Sequence, residues 1–399
     1  MPLLVFPYIL LIIGAELYAK LVFAEAIAQV VSTLVLYSFE LDGPAAVVGR
    51  NAIDDGESIS TALSEVLICR ALILVTSAVI VAAVTWLINP SSLSLILSWL
   101  LVSLSVAVQP GWLFQGLQRN VPLAILSVSS RALALTLVVR SIHVPGDYTM
   151  IPLLIGGCYV IAAVVALLVA LHLFGLSLVW VRPGRIREVL AHGREVFFGN
   201  VSVLLYRDLN VVVLGSLGVP GNGIAAYSLA EKTIKGLQAA MRPLNQVLLP
   251  RALLVARRAN RIDRTVFADM RRLVTPQLLS LLVIVAVLVS GYAVAKEYVP
   301  AIRRLPNLAR AETLASIMAV AVFFGVVNFM LGMAGLNHLN ERRYYFKSVL
   351  ASGTCGAAVC VLLAHSWGEF AAATNVVLSE ALLCALVVRK YLQVEAKQA

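Results

Sequence analysis

Between residues 223 and 249 an apolar stretch is interrupted by Glu231, Lys235, Gln238, Arg242, Asn245 and Gln246. At about 100° per residue these six fall within one sector of roughly 100° of a helix, and Ala, Leu and Ile fill the opposite face. Lys232 lies about 60° outside that sector. A second stripe, Tyr18, Glu25, Gln29 and Ser32, spans about 60° of a helix over 17–38. Lysine and arginine along one face are the chemistry of anion binding, with Lys235 and Arg242 foremost. Carboxylates there neutralise those cations or take up H+ or Na+, a role open to Asp208, Glu231 and Glu25. Tyr206, Arg207, Asp208 and Asn210 add a polar group near the middle of another apolar run. Arg207 and Asp208 are neighbours, so on a helix they point about 100° apart and need separate partners. Arg131 is deep enough in its apolar run to line a cavity. Arg140 sits near a helix end, where it would snorkel, and Arg70 reads as an anchor at the start of a helix.

Catalytic patterns are absent from the sequence. It has no glycine-rich phosphate loop, no metal-ligand cluster and no nucleophile elbow, and its five histidines are scattered. The chain therefore reads as a non-enzyme without cofactor or metal. Cys69, Cys158, Cys355, Cys360 and Cys384 all lie in apolar runs and behave as small hydrophobes.

These polar residues are held by elements that only lipid accommodates. The chain has 399 residues, of which 60% are hydrophobic and 13% charged. Soluble domains are about 25% charged. Uninterrupted apolar runs such as 71–88 and 151–171 exceed the roughly ten residues of a barrel strand and match the ~20 of a spanning helix. The fold expected is all-α, with about twelve transmembrane helices over 2–13, 17–38, 66–88, 93–114, 121–142, 149–176, 195–217, 223–249, 274–295, 311–334, 344–365 and 369–389. The first segment reaches only ~18 Å at 1.5 Å per residue. A preceding stretch is expected to complete it. Met1 leads straight into an apolar run without basic residues, so no cleavable signal peptide is expected.

Loop cations set the orientation. Arg50, Arg119, Arg182, Arg185, Arg187 and Arg194 share one side with the arginines between 251 and 272, Arg342, Arg343, Arg389, Lys390 and Lys397. Lys20, Lys296, Arg303, Arg304 and Arg310 lie on the other. The first side is cytoplasmic and holds both termini. The net charge of +10 belongs to this anchoring and to cations within the bundle rather than to a nucleic-acid partner. Phe23–Gln29 pairs with Leu229–Lys235, and Phe114–Gln118 with Met333–Asn337, each pair six helices apart. Two bundles of like orientation follow, residues 1–180 and 195–399, joined by a basic linker at 181–194. The two polar stripes are expected to face each other across a central cavity.

Specific stretches resemble a known family. They are Pro7-Tyr8 through Ile13-Gly14-Ala15-Glu16-Leu17-Tyr18, Phe23-Ala24-Glu25-Ala26, Tyr37-Ser38-Phe39, Arg50-Asn51-Ala52-Ile53-Asp54-Asp55 and Trp112-Leu113-Phe114-Gln115-Gly116-Leu117-Gln118. In the second half they are Asp208 through Leu214-Gly215, Ala226-Tyr227-Ser228-Leu229-Ala230-Glu231-Lys232 and Leu249-Pro250. The sequence is similar to the polysaccharide-unit flippases (O-antigen, Wzx type) of the multidrug/oligosaccharidyl-lipid/polysaccharide exporter superfamily. It departs from the pattern at Ile13-Gly14, where Leu-Gly is common, and at Ala19-Lys20, where glycine commonly follows the tyrosine.

The resemblance implies a MATE-like fold of two six-helix bundles around a cavity in the bacterial inner membrane. It implies a substrate, an oligosaccharide repeat unit on undecaprenyl pyrophosphate, moved between leaflets by alternating access. Lys235, Arg242, Arg207, Arg131 and Lys232 would then meet the diphosphate, and Gln29, Gln238 and Asn245 the sugars. A polysaccharide polymerase and chain-length machinery would be partners beside the membrane lipids. A cation-coupled multidrug antiporter on the same fold would carry an acidic cavity, whereas the 223–249 stripe is rich in cations. A lipid II flippase shares the physics but usually has additional helices. A polymerase or ligase would need a long external loop, and the longest here is about fifteen residues.

Overall fold

A computed structural model describes residues 2–47, 55–259, 264–339 and 341–398. Arg50 and the Asn51–Asp54 part of the motif lie outside the described residues, as do Arg261 and the side chains of Gln246, Pro250, Arg257, Arg258 and Lys397. The described residues contain helices and no strand. They fall into two compact units, Leu3–Leu204 and Leu205–Ala399.

The first unit holds α1 (Pro2–Leu36), α2 (Phe39–Val47), α3 (Gly56–Ile88), α4 (Leu93–Val108), α5 (Gly111–Gly116), α6 (Val121–Ser141), α7 (Met150–Leu173) and most of α8 (Pro183–Arg207). The second holds α9 (Asn210–Ser216), α10 (Gly221–Ala259), α11 (Arg264–Tyr298), α12 (Pro300–Arg303), α13 (Leu308–Val327), α14 (Arg342–Trp367) and α15 (Glu369–Gln398). A π-helical segment, Asn328–Leu336, continues α13.

Each of the twelve segments read from the sequence falls on a helix. Among the described residues nine helices are long and apolar enough to cross a membrane, and the bent pair α8–α9 makes a tenth. At 39 residues α10 is longer than the ~20 a crossing needs, but its polar stripe keeps its mean hydropathy low. Within α1, Gly14 (φ +75°, ψ 170°) is non-helical. Phe6 and Tyr18 then touch, ring centroids 6.3 Å apart. Twelve residues of continuous helix would separate them by ~18 Å, so the chain doubles back at Gly14, in a conformation that suits glycine. Segments 2–13 and 17–38 are thus the two limbs of α1. The Tyr8 hydroxyl on the first limb reaches the carbonyls of Val139 and Ile142, both at 3.1 Å, at the end of α6.

Several boundaries differ from expectation because hydropathy marks the hydrocarbon, not the end of a helix. Helix α3 starts ten residues before position 66. Helix α8 starts at Pro183, so most of the basic 181–194 stretch is helical. Its Arg185 pairs with Glu65 of α3 at 2.8 Å. The expected continuous helix over 195–217 is broken after Arg207 by a bend of 56°.

The most specific family-like motif is packing rather than chemistry. Trp112, Leu113 and Phe114 are buried. A Cβ on Gly43 would sit 2.8 Å from the Trp112 ring, and one on Gly116 would strike Val47, so α2 and α5 meet through glycine. Arg70 corrects another expectation. It is 1% exposed rather than a membrane-surface anchor. Its guanidinium donates to Glu40 (2.8 Å) and to the carbonyls of Gln109 (3.0 Å) and Val106 (3.3 Å), which satisfies the C-terminal end of α4.

Candidate functional site

The polar residues of the second unit gather around the α8–α9 break. A broken helix exposes main-chain groups that must find partners. Asn210 supplies one, donating its amide to the Tyr206 carbonyl at 3.0 Å. Its own side-chain oxygen accepts from Asn375 of α15 at 2.6 Å, and Ser379 donates to the Asn375 oxygen at 3.0 Å. This chain of amides fits only because α14 has Gly356 opposite, where a Cβ would overlap both Asn375 and Ser379. The break is therefore a built feature, fixed by buried side chains.

Arg207 and Asp208, at the break, do take separate partners on α10. Lys235 donates to Asp208 Oδ1 at 3.0 Å and pairs with Glu231 Oε1 at 2.9 Å, one turn before it. Arg207 donates to Gln238 Oε1 at 3.0 Å. The side chains of Glu231, Asp208 and Lys235 are 12%, 23% and 41% exposed, and the Lys235 ammonium sits between the two carboxylates. Arg242, two turns beyond Lys235, is exposed and has no ion-pair partner among the described residues. Asn245 is turned to α11, where its oxygen accepts from the buried Gln277 at 3.0 Å. Lys232 is half-buried.

A neighbouring carboxylate escaped the sequence reading. Glu380 of α15 accepts from Asn328 at 2.7 Å and lies 3.4 Å from the Tyr206 hydroxyl. Asn328, 4% exposed, opens the π-helical segment and also reaches the Glu380 carbonyl at 2.9 Å. Arg207 is within electrostatic reach of Glu380. The sequence does carry a signal for it, an acid in the interior of the apolar run 369–389, because intramembrane carboxylates are costly. Asn328 and Asn375 carried no comparable signal.

In the first unit the picture is thinner. Arg131 on α6 is hydrogen-bonded to the Tyr159 hydroxyl on α7, with Glu25 of α1 in electrostatic reach. Gln29, one turn from Glu25, is exposed. The other two members of that stripe do not face a cavity. Tyr18 is fully buried, and Ser32 bonds the Ala28 carbonyl (2.8 Å) and Ser103 (3.0 Å) inside the unit. Packing partners satisfy the Ser32 hydroxyl, and helical spacing alone cannot reveal them. Arg140 is exposed at the end of α6. No cluster of three or more His, Cys, Asp or Glu suited to a metal occurs among the described residues.

These long apolar helices define a multi-pass, all-helical membrane protein. Its fold is similar to that of a multidrug resistance MATE family transporter of the MOP superfamily in its inward-facing conformation. The TM-score is 0.72 at 13% identity, covering 100% of this chain and 96% of that one. It is also similar to the lipid II flippase MurJ in an inward closed conformation, at TM-score 0.63 and 12% identity, covering 99% and 88%. The chain belongs to the polysaccharide biosynthesis protein family, whose model matches residues 1–253. It is 21% identical over 253 residues to a putative O-antigen transporter of Escherichia coli (strain K12). That match covers 63% of this chain and 60% of the relative's length.

Proposed function

We propose that the chain is a flippase of the bacterial inner membrane, with both termini cytoplasmic. Its substrate would be an undecaprenyl-pyrophosphate-linked oligosaccharide repeat unit for O-antigen or exopolysaccharide synthesis. Membership of the polysaccharide biosynthesis family supports this, and the observation that carries it is the cationic edge of the α10 cluster. Lys235 and Arg242 on α10 and Arg207 at the end of α8 would offer donors to a diphosphate, each pairing strengthened where the dielectric is low. Gln238 and Gln29 would meet sugar hydroxyls, and Lys232 and Arg131 would extend the anion path. Alternating access would expose this site to each leaflet in turn. Asp208, Glu231 and Glu25 would couple the cycle to H+ or Na+, with Glu380 joining them. A polymerase and chain-length machinery would receive the product.

The test is complementation of a deletion strain. Lys235→Ala with Arg242→Ala should abolish surface polysaccharide at normal protein level. Wild-type surface polymer in that double variant would remove the assignment.

One observation favours a second reading. Asp208 and Glu231 bind Lys235, and Glu380 lies within electrostatic reach of Arg207, so acids stand beside these cations, as a cationic-drug antiporter would require. Hypersensitivity of the deletion strain to cationic drugs, with surface polysaccharide intact, would select that reading.

A further inference from the structure

The position of Lys235 ties two roles that the proposed function treats separately. One ammonium serves two carboxylates, Asp208 in the helix break at 3.0 Å and Glu231 on its own helix α10 at 2.9 Å. Both acids are more buried than the lysine, which is 41% exposed. An anion that binds this ammonium must compete with the two acids already bound to it.

Resting on the flippase reading, we propose that headgroup binding at Lys235 and small-cation binding at Asp208 and Glu231 reinforce each other. When H+ or Na+ occupies the carboxylates, the ammonium is released to the diphosphate. When the diphosphate takes the ammonium, the carboxylates lose their counter-charge and recruit a cation. Linkage makes the effect equal in both directions.

The other charges around Lys235 leave this exchange intact. From α8, Arg207 is held by Gln238 and answers Glu380. From α15, Glu380 is held by Asn328. On α10, Arg242 points outward two turns away and Lys232 lies outside the stripe. Tyr206 and Tyr227 are buried. Only Asp208 and Glu231 are ion-paired to Lys235 among the described residues.

The sign has a consequence for transport. An exchanger that swaps substrate for cation needs the two to compete for the protein. This cluster loads them together, so the diphosphate crosses with part of its charge neutralised.

The purified full-length chain in nanodiscs should be titrated with undecaprenyl pyrophosphate, with inorganic pyrophosphate as the lipid-free probe. One arm lowers pH through the carboxylate range at fixed Na+, and the other raises Na+ at fixed pH. Wild-type affinity should rise in one arm, which names the cation. Asp208→Asn with Glu231→Gln should bind about tenfold tighter, ~1.4 kcal/mol, and respond to neither arm. Glu231→Gln alone should move halfway and serves if the double variant misfolds. Lys235→Gln should bind weakly and without response. Amide variants that bind no tighter than wild type, or wild-type affinity flat in both arms, overturn the linkage while leaving the flippase reading intact. Absence of binding in every form, under every condition, overturns both.

Discussion

Replacing Arg70 with methionine separates a buried pin from a membrane-surface anchor. The guanidinium holds two main-chain carbonyls at the end of α4, Gln109 at 3.0 Å and Val106 at 3.3 Å. Each acceptor left without its charged donor costs about 1.5–3 kcal/mol. The ion pair with Glu40 adds less than about 1 kcal/mol, because Glu40 is 42% exposed and remains solvated without its partner. Methionine refills the apolar stem, so the loss is electrostatic rather than a cavity. The sum is about 3–7 kcal/mol. Glu40→Gln, by the same reasoning, costs below about 1 kcal/mol. Reversible unfolding in mixed micelles titrated with a denaturing detergent reads both variants against wild type. A shift for Arg70→Met no larger than that of Glu40→Gln would refute the reasoning and return Arg70 to the role of an exposed anchor.

Other substitutions probe the second unit and the first turn. Gly356→Val should overlap Asn375 and Ser379 and cost about 1–3 kcal/mol in the same unfolding assay, with the α8–α9 break loosened. Glu380→Gln keeps an acceptor for Asn328, so stability should change by less than about 1 kcal/mol while surface polysaccharide falls, a split that complementation at matched expression would reveal. Gly14→Ala should cost about 1–2 kcal/mol from backbone strain alone, since no atom lies within 4 Å of the added Cβ; thermal unfolding in detergent measures it.

Much of this was legible from residues alone, and what escaped has physical reasons. Runs such as 71–88 and 151–171 announce spanning helices because lipid demands unbroken hydropathy. The stripe on α10 is legible because helical period and polarity coincide over many turns, and Lys235, Glu231 and Gln238 do meet partners on its face. The break at Arg207–Leu209 was not legible. Its sequence, Tyr-Arg-Asp-Leu-Asn, has no proline or glycine, and the bend is held by Asn375 and Ser379 from a helix some 165 residues away. Tyr18 and Ser32 misled in the other direction, since a polar atom at stripe spacing is equally at home against a buried serine or carbonyl. Arg70 lies near the start of the apolar run, where hydropathy suggests an anchor, and only the fold of α2 and α4 around it shows the burial. The WLFQG motif was read as a family mark, and its physical content is the close approach of α2 and α5.

The central claim is movement of a lipid-linked oligosaccharide between leaflets. It is tested most directly in proteoliposomes containing the purified chain and a fluorescent undecaprenyl-pyrophosphate oligosaccharide. A membrane-impermeant pyrophosphatase added outside measures how much label is accessible over time. The account predicts that wild type renders the inner-leaflet pool accessible, and that Lys235→Ala with Arg242→Ala behaves like protein-free vesicles. An inner pool that stays protected in the presence of active, correctly inserted wild-type protein would contradict it.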